Sequence, residues 1–85
     1  MYLEILTPDK TAFSGRVKSV TVPGSKGPFT ILINHAPIIS TLETGEINLQ
    51  TEQGDNIFFM VNGGMIEVNN NKIMVLSEKV SIAEL

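Results

Sequence analysis

The residues able to do chemistry in this chain are few and scattered. His35 is the single histidine, cysteine is absent, and Asp9, Glu43, Glu46 and Asp55 stand in turns or at strand ends. A transition-metal site needs three or four convergent ligands, so no metal site is expected. General acid–base catalysis needs paired groups in a cleft, whereas carboxylates in turns are solvated by default. A serine or threonine nucleophile would have only His35 as its base, with no third group to orient the ring. No catalytic residue and no cofactor are assigned. Gly24-Ser25-Lys26-Gly27 superficially looks like a phosphate-binding glycine loop. That loop requires its lysine and hydroxyl residue to open a helix, and here a strand follows. One other chemistry stays open for the same loop. A lysine displayed at a tight turn of a small all-β domain is the plan of lipoyl- and biotin-carrier modules. Those modules flank the lysine with methionine or an acid inside a regular hairpin, while Pro23 and Pro28 bracket Lys26.

The elements that position these residues centre on Gly27 to Ser40. Thr30 to Ile33 reads as a strand that is apolar on both faces once past Thr30, as a buried strand is. Pro37 holds Ala36 extended and cannot donate to a ladder. The chain therefore turns, with Asn34 and His35 displayed between two apolar runs. On either side the pattern is of short strands divided by turn signals: Thr7-Pro8-Asp9, Ser14-Gly15, the loop from Pro23 to Pro28, Thr44-Gly45, Glu52-Gln53-Gly54-Asp55, Asn62-Gly63-Gly64, Asn69-Asn70-Asn71 and Ser77-Glu78-Lys79. The cleanest alternation is Glu46 to Thr51, with Ile47 and Leu49 inward. No helical stripe is present. These features predict an all-β chain, a two-layer antiparallel β-sandwich or flattened barrel of about ten short strands, forming one domain over residues 1–85.

Composition narrows the partners. The net charge is −3, and the six basic residues are dispersed, with only Arg16 and Lys18 close together. Nucleic-acid binding wants a basic stripe with aromatic platforms, and neither is present. The longest uninterrupted apolar run is the five residues Ile57 to Val61, too short to span a bilayer. Met1-Tyr2-Leu3-Glu4 has no basic stretch or long apolar core of the kind that marks a signal peptide. Membrane association, if any, must come through a protein partner.

Apolar residues are in surplus. An inward set of Leu3, Ile5, Val20, Val22, Ile31, Ile33, Ile47, Leu49, Phe59, Val61, Ile66, Val68, Ile73 and Val75 already fills a core. Phe58, Met60, Met74, Leu76 and Ile38 or Ile39 then have no obvious interior. Mass scaling gives a folded surface of about 5,000 Å², and a standard interface covers about 800 Å² per partner. One such interface would account for the surplus, which favours a binding module over an enzyme.

Several motifs now fall together. Phe13-Ser14-Gly15, Val20-Thr21-Val22-Pro23-Gly24, Gly27 with Phe29, Asn34-His35-Ala36-Pro37-Ile38-Ile39, Gly45, Asn62-Gly63-Gly64-Met65-Ile66-Glu67-Val68 and Val75-Leu76 make the whole chain resemble the epsilon subunit of F-type ATP synthase. The His-Ala-Pro corner and the Gly-Gly-x-x-Glu-Val segment carry the resemblance jointly. It implies a ten-stranded β-sandwich at the foot of the central rotor stalk, binding the gamma subunit and resting on the c-ring of the membrane sector. By this similarity His35, Ala36, Pro37, Ile38 and Ser40 lie at the gamma contact, to which the apolar surplus adds Phe58 and Met60. Ser25, Lys26, Gly27 and Pro28 lie near the c-ring. The implied location is the cytoplasmic face of the bacterial plasma membrane, peripheral and without direct insertion, with the isolated domain a monomer lacking ATPase activity.

Two departures from the family pattern matter. Family members commonly carry an acid where Pro28 stands, so Lys26 is left to set a different charge pairing at the ring. Typical bacterial members continue into a C-terminal two-helix hairpin, whereas this sequence ends at Ser81-Ile82-Ala83-Glu84-Leu85. Inhibition or ATP binding by such a hairpin is not transferred, and a naturally short form is expected.

Overall fold

A computed structural model describes residues 1–83, so Glu84 and Leu85 of the expected terminal segment lie outside the described residues. Seven strands are present: β1 (Tyr2–Leu6), β2 (Thr11–Val22), β3 (Phe29–Leu32), β4 (Ile38–Thr51), β5 (Asn56–Asn69), β6 (Lys72–Leu76) and β7 (Val80–Ile82). No helix occurs among the described residues. The order β1-β6-β5-β4-β2-β3 is closed by a further β1–β2 pairing, and β7 adds to β5. The sheet therefore wraps on itself as a flattened barrel. All pairings are antiparallel except β1 with β6, where the N-terminal strand runs parallel to its neighbour.

Three long strands each serve both flattened faces, which is how seven strands supply the ten short segments read from the sequence. The first layer contains the start of β4, the end of β5, β6, β1 and the start of β2. The second contains β3, the end of β2, the end of β4, the start of β5 and β7. The sequence reading placed breaks at Ser14-Gly15, Thr44-Gly45 and Asn62-Gly63-Gly64. The hydrogen-bonded ladders instead run through all three, because a glycine bends a strand without ending its pairing.

Crossing between layers reverses which alternate residues face the core. On β4 the inward positions are Leu42 and then Ile47 and Leu49; on β5 they are Phe59 and Val61 and then Ile66 and Val68. Leu42 pairs with Gly64 and Thr44 with Asn62, so both strands of the ribbon change phase at one level. Gly63 (φ 107°) and Gly64 (φ 132°) make that change on β5, using a region closed to side-chain-bearing residues. On β2 the change falls at Lys18, where a register shift separates inward Val17 from inward Val20.

The core is one cluster. Leu3, Ile5, Val20, Val22, Ile31, Ile47, Leu49, Ile66, Ile73 and Val75 are fully buried, joined by Val17, Leu42, Phe59, Val61, Val68 and Met1. Phe13 packs edge-on to Phe59 with ring centroids 6.0 Å apart. The accessible surface is 5090 Å², as expected for this mass. The predicted inward set is buried with one exception, Ile33, which is 65% exposed. β3 ends at Leu32 and the chain turns, so alternation no longer applies at Ile33.

Where β5 and the β6–β7 connection pass between layers, Ser77 fastens them. It is the sole buried polar residue among those described. Its Oγ lies 2.6 Å from the Gly63 carbonyl oxygen, to which it donates. The Asn62 Oδ1 accepts from the Lys79 backbone N–H at 3.1 Å.

Candidate functional site

His35 sits in a tight turn closed by its own N–H donating to the Leu32 carbonyl at 3.1 Å. Its Nδ1 is 2.7 Å from the Ala36 carbonyl oxygen. That oxygen can only accept, so Nδ1 is the donor of this bond. This is a local bond from a half-buried ring, and it recruits no second ionisable group. Among the described residues no group of three His, Cys, Asp or Glu side chains converges as a metal site would require. Replacing His35 with Ala is expected to move the melting temperature by less than about 8 °C, since one exposed local bond contributes about 1 kcal/mol. A larger drop in a thermal melt would make the ring a structural element.

The residues flanking the histidine separate by direction. Ala36 and Pro37 are exposed, Ile38 packs against the core cluster, and Ser40 is half-buried on the same inward phase. The outward residue is Ile39, 67% exposed. The sequence left open which of Ile38 and Ile39 belonged to the surplus; the register Ile38 to Val68, Ser40 to Ile66 resolves it as Ile39.

The Ser25, Lys26, Gly27 and Pro28 loop is exposed along its length. It folds over the start of β4. Ser25 N–H donates to the Thr41 carbonyl at 3.0 Å, Glu43 N–H to the Pro23 carbonyl at 2.8 Å, and Thr41 Oγ1 to Ser25 Oγ at 2.8 Å. The loop thereby covers the outer edge of the first layer, which would otherwise offer unpaired backbone groups. It also encloses, with Ile38, Ile39, Ser40 and Thr41, a groove of about 510 Å³. Two groups of residues read from the sequence as opposite ends of one stretch are therefore brought side by side.

Phe58 and Met60 are not brought to that place. They pair with Asn48 and Glu46 on the outer side of the second layer, and Met60 also opposes Ser81. Phe58 is half-buried and Met60 is 39% exposed, each among polar neighbours. Single apolar residues in such surroundings are ordinary surface.

The contiguous apolar patch is elsewhere, on the outer side of the first layer. Leu6 pairs with Leu76 and Leu76 with Met65, placing the three side by side across β1, β6 and β5, with Thr41 next on β4. With Thr7, Pro8 and Gly64 they line an open groove of about 630 Å³. Leu76 was visible in the sequence as surplus. Leu6 and Met65 were missed, because their places beside Leu76 follow from the β1–β6 and β5–β6 registers, for which the sequence carries no local signal.

Residues 1–83 match the family described as ATP synthase, Delta/Epsilon chain, beta-sandwich domain. Among curated relatives, the ATP synthase epsilon chain of Chlorobaculum tepidum is 40% identical over 79 residues, covering 93% of this chain and 90% of the relative. That of Desulfatibacillum aliphaticivorans is 42% identical over 76 residues, covering 89% of this chain and 54% of the relative, so the chain spans about half of that protein. The fold recurs in the Euglena gracilis mitochondrial ATP synthase, solved as OSCP/F1/c-ring, with a TM-score of 0.86 over 94% of this chain and 51% of that one at 18% identity. It recurs again in the Tetrahymena thermophila mitochondrial ATP synthase central stalk/c-ring, with a TM-score of 0.77 over 95% of this chain and 65% of that one at 17% identity. The family match over residues 1–83 and the relatives at about 40% identity agree: the chain belongs to the ATP synthase delta/epsilon chain β-sandwich family.

Proposed function

We propose that this chain is a non-catalytic rotor subunit of a proton-translocating ATP synthase, binding the gamma subunit and resting on the c-ring so that ring rotation is passed to the catalytic head. The observation that carries this reading is the outward apolar row Leu6, Leu76 and Met65 on a member of this family. The β-sandwich domain is a monomer before assembly. It is held at the cytoplasmic face of the bacterial plasma membrane by its protein partners.

Gamma is assigned to the apolar row and the adjoining rim formed by Ile39 and the His35-Ala36-Pro37 corner. Ile38 and Ser40 support that rim from the inside. Phe58 and Met60 lie on the other layer and would meet gamma only if it wrapped the domain. The Ser25 to Pro28 loop is assigned to the polar surface of the c-ring, with Lys26 its charge. Reversing that charge with Lys26→Glu is expected to leave the melting temperature within about 2 °C, because the side chain is exposed and pairs with no acid among the described residues. Retention on c-rings should fall about threefold to tenfold, most at low salt. Equal retention in a co-sedimentation assay at low salt would remove Lys26 from the contact.

Affinity capture from detergent-solubilised membranes, read by mass spectrometry, tests the assignment as a whole. Gamma and ring subunits are expected with the chain. Intact mass of the natively expressed chain separates out the carrier reading, for which a lipoyl or biotinyl adduct on Lys26 is required.

A further inference from the structure

We infer that Asn34 and Asn71 form a clasp that presets the His35-Ala36-Pro37 corner before any partner arrives. The inference rests on the reading of that corner as a contact with gamma. Asn34 N–H donates to Asn71 Oδ1 at 2.6 Å, and Asn71 Nδ2 donates to Asn34 Oδ1 at 3.1 Å. The backbone N–H can only donate, which fixes the Asn71 oxygen toward it and the Asn71 nitrogen toward the Asn34 carbonyl oxygen. The pair is reciprocal and spans 37 positions of sequence.

Both residues are bent into place by their own turns. Asn34 has φ 65°, Asn70 φ 50° and Asn71 φ 60°. Two successive left-handed residues between paired Asn69 and Lys72 make a two-residue hairpin turn of the type that matches strand twist. Asparagine is the non-glycine residue best suited to that conformation. Glycine would suit the backbone at least as well, so the amide at position 71 is not explained by the turn. Its partners explain it. The Asn71 backbone carbonyl accepts from Tyr2 N–H at 2.9 Å, tying the turn to β1, while the side-chain amide bonds to Asn34 at the corner.

The corner needs this tie. Residues 33–37 carry the chain from β3, at the edge of the second layer, to β4, at the edge of the first. Ile33, Asn34, Ala36 and Pro37 are exposed, and Pro37 has no N–H to give. Apart from the turn bond to Leu32 and the bond from His35 to Ala36, the clasp is the hydrogen bonding that residues 33–37 make to the rest of the fold among the described residues. A loop ordered beforehand does not lose that freedom on binding, which raises affinity without adding a contact.

The test compares the whole chain with Asn71→Gly, which preserves the left-handed turn and deletes the clasp. Three quantities are read: the melting temperature, hydrogen exchange of the Asn34 amide, and affinity for the purified gamma subunit. The expected result is a melting temperature lower by no more than about 10 °C, Asn34 exchange faster by about tenfold, and gamma binding weaker by about tenfold. Asn34→Gly, which keeps the donated N–H and loses one bond, should fall between the two. Unchanged Asn34 exchange in Asn71→Gly overturns the clasp. Faster exchange with unchanged gamma affinity overturns its presetting role. In that second case His35→Ala separates the causes: weakened gamma binding leaves the contact standing without the clasp, and unchanged binding removes the corner from the contact altogether.

Discussion

Gly64→Ala should be the most damaging single-methyl change in the chain, lowering stability by about 3 kcal/mol or more and the melting temperature by about 15 °C. Two effects combine. The residue holds φ 132°, where a Cβ is strained whatever space surrounds it. A Cβ built there would also overlap the Leu76 carbonyl oxygen outright, and would stand 3.0 Å from the Leu76 carbonyl carbon and 3.1 Å from Ser77 Cα. Those atoms are backbone of the neighbouring strand and its continuation, and Ser77 N–H is itself bonded to the Leu6 carbonyl at 3.0 Å. They cannot swing aside as a flexible side chain would. Gly54→Ala is the control: φ is 95°, and a Cβ there meets nothing within 4 Å. It should cost about 1 kcal/mol from backbone strain alone. Thermal or urea melts of the two variants decide the matter. Similar losses would mean that the crossing at Gly64 is looser than its geometry implies.

A charge set into the apolar row should separate binding from folding. Leu76→Asp and Met65→Asp are each expected to weaken gamma binding at least about 100-fold, because a carboxylate would lose its water at the centre of an interface. Leu76 is 40% and Met65 39% exposed, so in the free domain an aspartate at either place stays hydrated. The melting temperature should then fall by less than about 8 °C, the shift given by roughly 1 kcal/mol in a domain of this size. Phe58→Asp, on the other layer, should leave gamma binding nearly intact. If Phe58→Asp is as harmful to binding as Leu76→Asp, gamma contacts both layers. If Leu76→Asp lowers binding and stability in proportion, the row is part of the fold and not a docking surface.

How much of this was legible beforehand depended on how local the signal was. Inward positions within a strand follow from two-residue alternation, so the core was readable from Leu3 to Val75. Ile33 escaped because the strand ends one residue earlier, and no single residue announces that end. Gly54 and Asn69-Asn70-Asn71 marked true turns, yet Gly15, Gly45 and Gly63-Gly64 lie within continuous ladders, the last pair at a phase change. A positive φ looks the same in sequence whether it ends a strand or twists it. The candidate site was less legible than the core. That Ser25 would lie against Thr41, that Asn34 would meet Asn71, and that Leu6 would stand beside Leu76 are consequences of barrel closure. These are long-range pairings. The resemblance supplied the family, and the register supplied the face.

The most direct measurement of the central claim is a calorimetric titration of the purified chain into purified gamma subunit. Saturation at one chain per gamma, with a dissociation constant below about 1 µM and a negative heat-capacity change from burial of the apolar row, is the predicted result. Absence of heat and of a co-eluting complex at concentrations of about 50 µM would contradict it.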